Sequence, residues 1–388
     1  MIQSLFSKNS IILKNFSNLV KFPINSFGKI NEKIIRNFHS EKKEEKKQKK
    51  KTPVKVFISK FDNPFWNLAT EEWLLLDNDP HYRTLFLWRN SPTVVIGKHQ
   101  NPWKECNLSK MEQNQVFLSR RKSGGGAVYQ DLGNTNFTFL SAKEDYAKEI
   151  NSKIICDSIA KFGVKAEISG RNDITVNGMK ISGSAYKITP DRAFHHGTLM
   201  ISVDLNALSQ YLTVNKEKLK SKGVDSVRSR VTNLSSFSKD ITHDSLSKSI
   251  IQTFFDFYNS ECQIQYLDQK FVDQEKKIKE YYEFLQDWNW RFGATPRFSH
   301  EMSTRFDWGL IDIYLCVNQG IIEEAKIYSD ALYSTMIDEL TKFLTGVPYT
   351  KAGIRSAIKQ ASQSTQLEMP KESQKMIQEF GDWLIKKI

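Results

Sequence analysis

GRNDITVNGMKISGSAYK, residues 170–187, carries the strongest local folding signal in the chain. Asn177-Gly178 stands between ITV and MKI, and this dipeptide suits a two-residue type I′ turn because both central positions need positive φ. Closing the turn predicts a register of Val176 with Met179, Thr175 with Lys180, Ile174 with Ile181 and Asp173 with Ser182. Side chains alternate across a sheet, so Ile174, Val176, Met179 and Ile181 share a core face while Asp173, Thr175, Lys180 and Ser182 share the other. Asp173 and Lys180 become diagonal neighbours about 7–8 Å apart, an interval able to hold a metal-bound phosphate between carboxylate and ammonium. An ordinary cross-strand charge pair is the plainer alternative. The flank Ser182-Gly183-Ser184 favours the ligand, since glycine after a strand marks close backbone approach or a bulge.

Upstream, residues 120–139 read RRKSGGGAVYQDLGNTNFTF. Gly124, Gly125 and Gly126 can take positive φ and turn successive N–H groups into one concavity, with Arg120, Arg121 and Lys122 adding charge at its mouth. A phosphate or carboxylate fits such a place, and a flexible hinge is the alternative.

Around these two segments, apolar strands alternate with amphipathic helices from Val54 onward. Residues 54–59, 85–90, 93–97, 116–120, 127–131, 136–140, 166–169 and 195–205 read as strands. Asn63 and Pro64 sit in N-cap and N1 style before a helix over 63–76, and further helices are expected at 143–163, 243–258 and 273–287. Near Trp288 a second unit begins, with strands over 298–328 and helices at 333–345, 352–362 and 370–387, the size of a small independent domain. The expectation is an α+β protein in three parts: an extension over 1–51, a main body over 52–287 and a smaller C-terminal α+β unit over 288–388.

The formal charge of +12 is unevenly placed. Residues 1–51 hold thirteen Lys or Arg against four Glu, a net +9, which leaves +3 for the remaining 337 residues. A near-neutral body without basic-aromatic stripes argues against nucleic-acid binding. Residues 1–40 are basic, amphipathic and contain a single acid, Glu32, which is the composition of a mitochondrial transit peptide, and a Lys-rich linker follows. No apolar run approaches the roughly 18 residues of a membrane span. Cys106, Cys156, Cys262 and Cys316 show no zinc spacing, so reduced thiols and no structural metal are expected.

RRKSGGGAVYQDLGNTNFTF, GRNDITVNGMKISGSAYK, AFHHGTLMISVDL (193–205) and KGVDSVRSRVTNL (222–234) together resemble the lipoate–protein ligase A family in order and spacing, and WNWRFGATPRFSH (288–300) resembles its accessory domain. The resemblance covers the chain from about residue 54 onward. It implies a mixed-sheet catalytic domain of the biotin/lipoate ligase type over 52–287, with an accessory C-terminal domain over 288–388. It also implies a two-step reaction: lipoate and ATP give lipoyl-AMP, and the lipoyl group passes to a lysine on lipoyl domains of 2-oxoacid dehydrogenase complexes or on the glycine-cleavage H protein. The location expected for it, the mitochondrial matrix, comes from the composition of residues 1–40 and not from the resemblance.

Carried over position by position, the resemblance makes Lys180 the bridge between lipoate carboxylate and α-phosphate. Arg121 and the backbone of Gly126, Ala127, Val128 and Tyr129 would bind ATP, and Asn172 and Asp173 would orient phosphates, with Asp173 a ligand of Mg²⁺. Ser123, Gly124, Lys187 and His196 fall at the lipoate end. His195 and His196 read more simply as structural histidines, since nothing in the reaction requires one to ionise. Two relatives stand as alternatives: a lipoyltransferase working from preformed lipoyl-AMP, and an octanoyl transferase, disfavoured because residues 222–234 contain no cysteine nucleophile.

Overall fold

The computed structural model describes residues 51–212, 231–292 and 300–388, and Thr52–Ile388 forms one compact unit. The transit-peptide expectation, Lys222, Arg228, Arg230 and most of 293–300 lie outside the described residues. In chain order the strands are β1 (Val54–Ser59), β2 (Arg83–Trp88), β3 (Thr93–Ile96), β4 (Phe117–Arg120), β5 (Val128–Gln130), β6 (Asn134–Ala142) and β7 (Glu167–Ser169). They continue as β8 (Asp173–Val176), β9 (Met179–Ile188), β10 (Arg192–Met200), β11 (Ile264–Leu267), β12 (His300–Phe306), β13 (Gly309–Asn318) and β14 (Ile321–Ser329).

An eight-stranded sheet runs β11-β1-β2-β6-β10-β9-β8-β7, parallel where β1 meets β11 and β2 and antiparallel beyond. Period-two alternation divides its side chains between two helical layers. Val56, Leu85, Leu87, Phe137 and Phe139 pack against helices Lys148–Ala160 and His243–Tyr258. Their neighbours Phe57, Phe86, Trp88 and Leu140 pack on the other side, against helices Pro64–Leu76 and Lys276–Gln286. A small sheet, β4-β3-β5, stands beside this second layer and carries the glycine run between β4 and β5. The first helix starts as its sequence dictates: Asn63 caps the amides of Phe65 and Trp66, and Pro64 takes the first turn, where no N–H is needed.

The turn is type I′ in character, with φ 51° at Asn177 and 75° at Gly178, and Val176 and Thr175 pair with Met179 and Lys180 as predicted. Beyond that the register corrects the expectation. A bulge between Ile174 and Thr175 sets Ile174 opposite Ser182 and Asp173 opposite Gly183. The extra residue is Ile181. A bulge lets two consecutive residues of one strand face one residue of the other, so Ile181 and Ser182 are both fully buried, and Ser182 does not share the exposed face with Lys180.

The C-terminal part is a three-stranded antiparallel sheet, β12-β13-β14, covered by helices Ser334–Leu344, Lys351–Ser362 and Pro370–Lys387. It has its own core around Ile313, Ile337, Ile358 and Phe380. Strand β11 and helix Leu205–Tyr211 had no counterpart in the sequence reading; both are short, and β11 leaves two of its four side chains exposed.

Candidate active site

A cavity of about 350 Å³ opens between β9, β10 and β6 of the large sheet, with Asn172 just before β8, and β5 with the glycine run of the small one. Lys180 and Asn172 line one end, and Trp88, Gln130 and Asn136 line another part of the wall. Arg121, Gly126, Ala127, Val128 and His196, all expected at the site, also reach it. Ser123, Gly124, Tyr129, Asp173 and Lys187 do not line the cavity, and each has a physical reason.

Asp173 stands one layer back, its Oδ1 2.7 Å from Lys180 Nζ, each side chain about one-third exposed. The interval expected between them is therefore closed by a direct ion pair. Gly183 makes room for it, since a Cβ there would lie 3.0 Å from Lys180 Nζ. Asn172 is locked to the same strand: its Nδ2 donates to Ser184 O at 2.7 Å, and its carbonyl accepts from the Ser184 amide at 2.8 Å. Lys180 also anchors the returning chain, its carbonyl accepting from Thr232 N at 3.0 Å.

The glycine run departs from the picture of three amides facing one anion. Among its glycines only Gly125 has positive φ, 90°, and its N–H donates to Ala331 O of the C-terminal part at 2.9 Å. A Cβ on Gly124 would meet Ala331 O at 2.4 Å, so this glycine serves contact with the C-terminal part. Nor do Arg120 and Arg121 stand at a charged mouth. Both are buried, and Arg121 donates to the carbonyls of Val95, Gly124 and Gly126 and to Ser123 Oγ, holding the loop's shape from within. Burial lowers its guanidinium to about 10, so it remains a cation at neutral pH. Arg120 likewise binds the carbonyls of Gly97, Lys98, Gln100, Trp290 and Arg291. Tyr129 alternates with Val128 and Gln130 and turns into a separate core beside Tyr211.

His196 links the loop to the first helix. Its Nδ1 lies 2.8 Å from Glu71 Oε1 and its Nε2 2.8 Å from Ser123 Oγ, which also accepts from Arg121 Nε at 3.0 Å. An ionised carboxylate only accepts, so His196 donates from Nδ1, and a neutral ring then accepts from Ser123 at Nε2. Thr138 Oγ1 donates to the same Glu71 oxygen at 2.7 Å. Lys187 turns to Glu72, 3.3 Å away, which also holds Lys122 at 3.1 Å; burial lowers the Lys187 ammonium from its ordinary value. His195 is buried, with no partner for Nδ1 among the described residues, and desolvation pushes it down to about 3. Glu71 and Glu72 were missed in the sequence. Their signal was present: two acids interrupt the apolar stripe of Leu68 and Leu75 on a helix, where a charged residue needs a buried partner.

All four cysteines are free, none lines the cavity, and burial pushes Cys106 up to about 12 and Cys156 up to about 11, far from thiolate nucleophiles.

Comparison with known proteins agrees with this geometry. The family model for the lipoyl protein ligase A/B catalytic domain matches residues 63–255, and the model for the bacterial lipoate protein ligase C-terminus matches 295–384. Lipoate-protein ligase A of Psychrobacter cryohalolentis is 46% identical over 337 residues, which cover 86% of this chain and 98% of that protein. The Bdellovibrio bacteriovorus counterpart is 44% identical over 340 residues, with the same two coverages. Among solved structures, P. falciparum LipL1 in complex with lipoate superposes with a TM-score of 0.75 at 33% identity, covering 86% of this chain and 99% of its own. A bipartite lipoate protein ligase from Thermoplasma acidophilum, described with its E2 lipoyl domain, gives a TM-score of 0.54 at 25% identity over 64% of this chain and 100% of its own.

Proposed function

The chain belongs to the lipoate–protein ligase A family, and from that premise we propose how its residues carry the reaction. In the first step a lipoate carboxylate oxygen bonds to the α-phosphorus of ATP and the bond to the β-phosphate breaks, releasing pyrophosphate. In the second, the acceptor lysine's amine attacks the acyl carbon and AMP leaves. Both steps bring a nucleophile up to a crowded negative centre, so positioning and fixed positive charge do most of the work.

The observation that carries this reading is the setting of Lys180. Its ammonium stands at the cavity wall over Gly183, held by Asp173 at 2.7 Å and next to Asn172. There it bridges carboxylate and α-phosphate, and later steadies the departing AMP. Among the described residues β5 pairs with β3 alone, so its other edge offers main-chain N–H and C=O groups for a nucleotide base beside Gly126 and Ala127.

Among the described residues no three His, Cys, Asp or Glu side chains gather as a metal site. That suits Mg²⁺ arriving with ATP, because this ion is commonly held by one or two carboxylates plus substrate phosphates. Asp173 would be its protein ligand, and the ion would neutralise phosphate charge there. The acceptors are lipoyl domains of 2-oxoacid dehydrogenase complexes and H protein, a reading supported by the T. acidophilum ligase described with its E2 lipoyl domain. The acid-poor segment over 1–40 supports delivery to the mitochondrial matrix.

Lipoate and MgATP alone should lipoylate an acceptor domain, with pyrophosphate released. Modification only from preformed lipoyl-AMP would make the protein a transferase. Removal of residues 1–51 should leave catalysis intact and prevent matrix import, and a truncated form that still reaches the matrix would refute the targeting role.

A further inference from the structure

One wall of the cavity is a relay of buried amides whose orientation can be deduced bond by bond. Asn67, on the first helix, is fully buried, and its Nδ2 donates to two main-chain carbonyls, Phe61 O at 3.3 Å and Arg89 O at 2.7 Å. Carbonyls only accept, so this end of Asn67 is the nitrogen. The same nitrogen lies 2.9 Å from Asn90, which must present Oδ1 to it. Asn90 therefore offers Nδ2 to Gln130, 2.8 Å away, and the Gln130 atom receiving it is Oε1. A second donor fixes that oxygen from the other side: Asn134 Nδ2 donates to Asn136 Oδ1 at 2.8 Å, and Asn136 Nδ2 points at Gln130 Oε1 at 3.3 Å.

Everything in the relay thus pins the oxygen of Gln130 to the protein and leaves its nitrogen over. Gln130 is 4% exposed and lines the cavity, and its Nε2 has no hydrogen-bond partner among the described residues. With its oxygen engaged from both sides, Gln130 presents its remaining donor, Nε2, to the cavity, where the occupant can supply an acceptor.

Which part of the occupant meets it follows from the sheet. Thr198 on β10 lies beside Gly183 and Lys180's end of the cavity, and pairs across the sheet with Asn136 on β6. Neighbouring strands are about 4.8 Å apart, so β6 stands roughly 10 Å from β9. With the carboxylate at Lys180, that distance brings the far end of a medium-chain acyl group to Gln130, among the apolar walls of Leu68, Val95 and Trp88. Resting on the reading of this cavity as the acyl-substrate site, we propose that the free amide of Gln130 donates to a sulfur of the dithiolane ring and so selects lipoate over sulfur-free acids of similar length, the ring-bearing cyclopentyl analogue and octanoate alike.

Sulfur is a weak acceptor, so the selectivity is moderate and far smaller than that for a lost hydroxyl partner. The test needs no variant at first. Pyrophosphate release by the full-length protein is measured with lipoate, octanoate and cyclopentyl-pentanoate, in which methylenes replace both sulfurs. The expected kcat/KM for lipoate exceeds that for the cyclopentyl acid roughly 10-fold. In Gln130→Leu, checked for folding by its thermal midpoint, the ratio should fall to about 1, mainly through loss with lipoate, because the leucine has no donor to offer. Equal use of lipoate and the cyclopentyl acid by the unaltered protein overturns the inference alone. So does a Gln130→Leu variant that keeps the ratio, or one that raises only the KM for ATP. Absence of pyrophosphate with all three acids overturns the site reading itself.

Discussion

The hairpin β8–β9 and the glycine run between β4 and β5 both read in sequence as places for an anion, yet they are built on opposite plans. In the hairpin the backbone is used up by the sheet, and side chains meet the cavity: Lys180 and Asn172. In the glycine run Arg121 reaches the cavity but commits its donors to the carbonyls of Val95, Gly124 and Gly126, and the rest of that wall is main chain and small groups from Gly125 to Val128. Basic residues beside a glycine run are thus of two kinds, those that touch the ligand and those that shape what touches it. Only the partners of each guanidinium separate them.

This contrast has consequences of graded size. Lys180→Ala should leave the fold intact and lower both lipoyl-AMP formation and transfer by roughly 10²–10³-fold, the loss expected for a group that stabilises transition-state charge. A well-folded variant with near-native adenylation would break the assignment. Arg121→Leu should behave oppositely, because it strands two loop carbonyls, Gly124 and Gly126, and that of Val95 on β3. Its main effect should be on stability, roughly 2–5 kcal/mol in denaturant unfolding. Unaltered stability with lost ATP binding would place Arg121 among ligand contacts instead.

Gly124→Ala inserts a methyl 2.4 Å from Ala331 O. Overpacking of this kind costs about 1–3 kcal/mol, and it should appear as earlier proteolytic cleavage of the C-terminal part at unchanged core stability. Asp173→Asn should have the smallest effect, roughly a 10-fold loss in MgATP-dependent adenylation with transfer from supplied lipoyl-AMP less affected. Equal loss in both assays would remove Asp173 from metal binding and leave it as the positioner of Lys180.

Sequence alone carried the elements whose rules are local. Asn63-Pro64 starts a helix and Asn177-Gly178 closes a hairpin through backbone preferences of those very residues. Lys180, Asn172 and His196 were expected together from their motifs, and all three line the cavity. What stayed hidden depends on partners far along the chain. The bulge at Ile181 was invisible because a turn fixes only the pairs nearest it, and two residues later the burial of Ser182 decides. The loop role of Arg121 needs Val95, and that of Gly124 needs Ala331, more than two hundred residues on. Asn67, Asn90 and Asn134 have the composition of caps and turns, and nothing local marks them as one buried amide relay.

The bulge also gives β9 the character of a phase shifter. Lys180 precedes the extra residue, and Gly183, Ser184 and Ala185, which line the same cavity, follow it. Removing one residue at 181–182 would restore plain alternation and turn one of these groups away from the cavity, whichever side kept its pairing. Insertions and deletions are therefore unequal within this one hairpin: the tip at Asn177-Gly178, where a Cβ on Gly178 would meet nothing within 4 Å, can change length with little harm, while a few residues away the count of residues is itself part of the cavity wall.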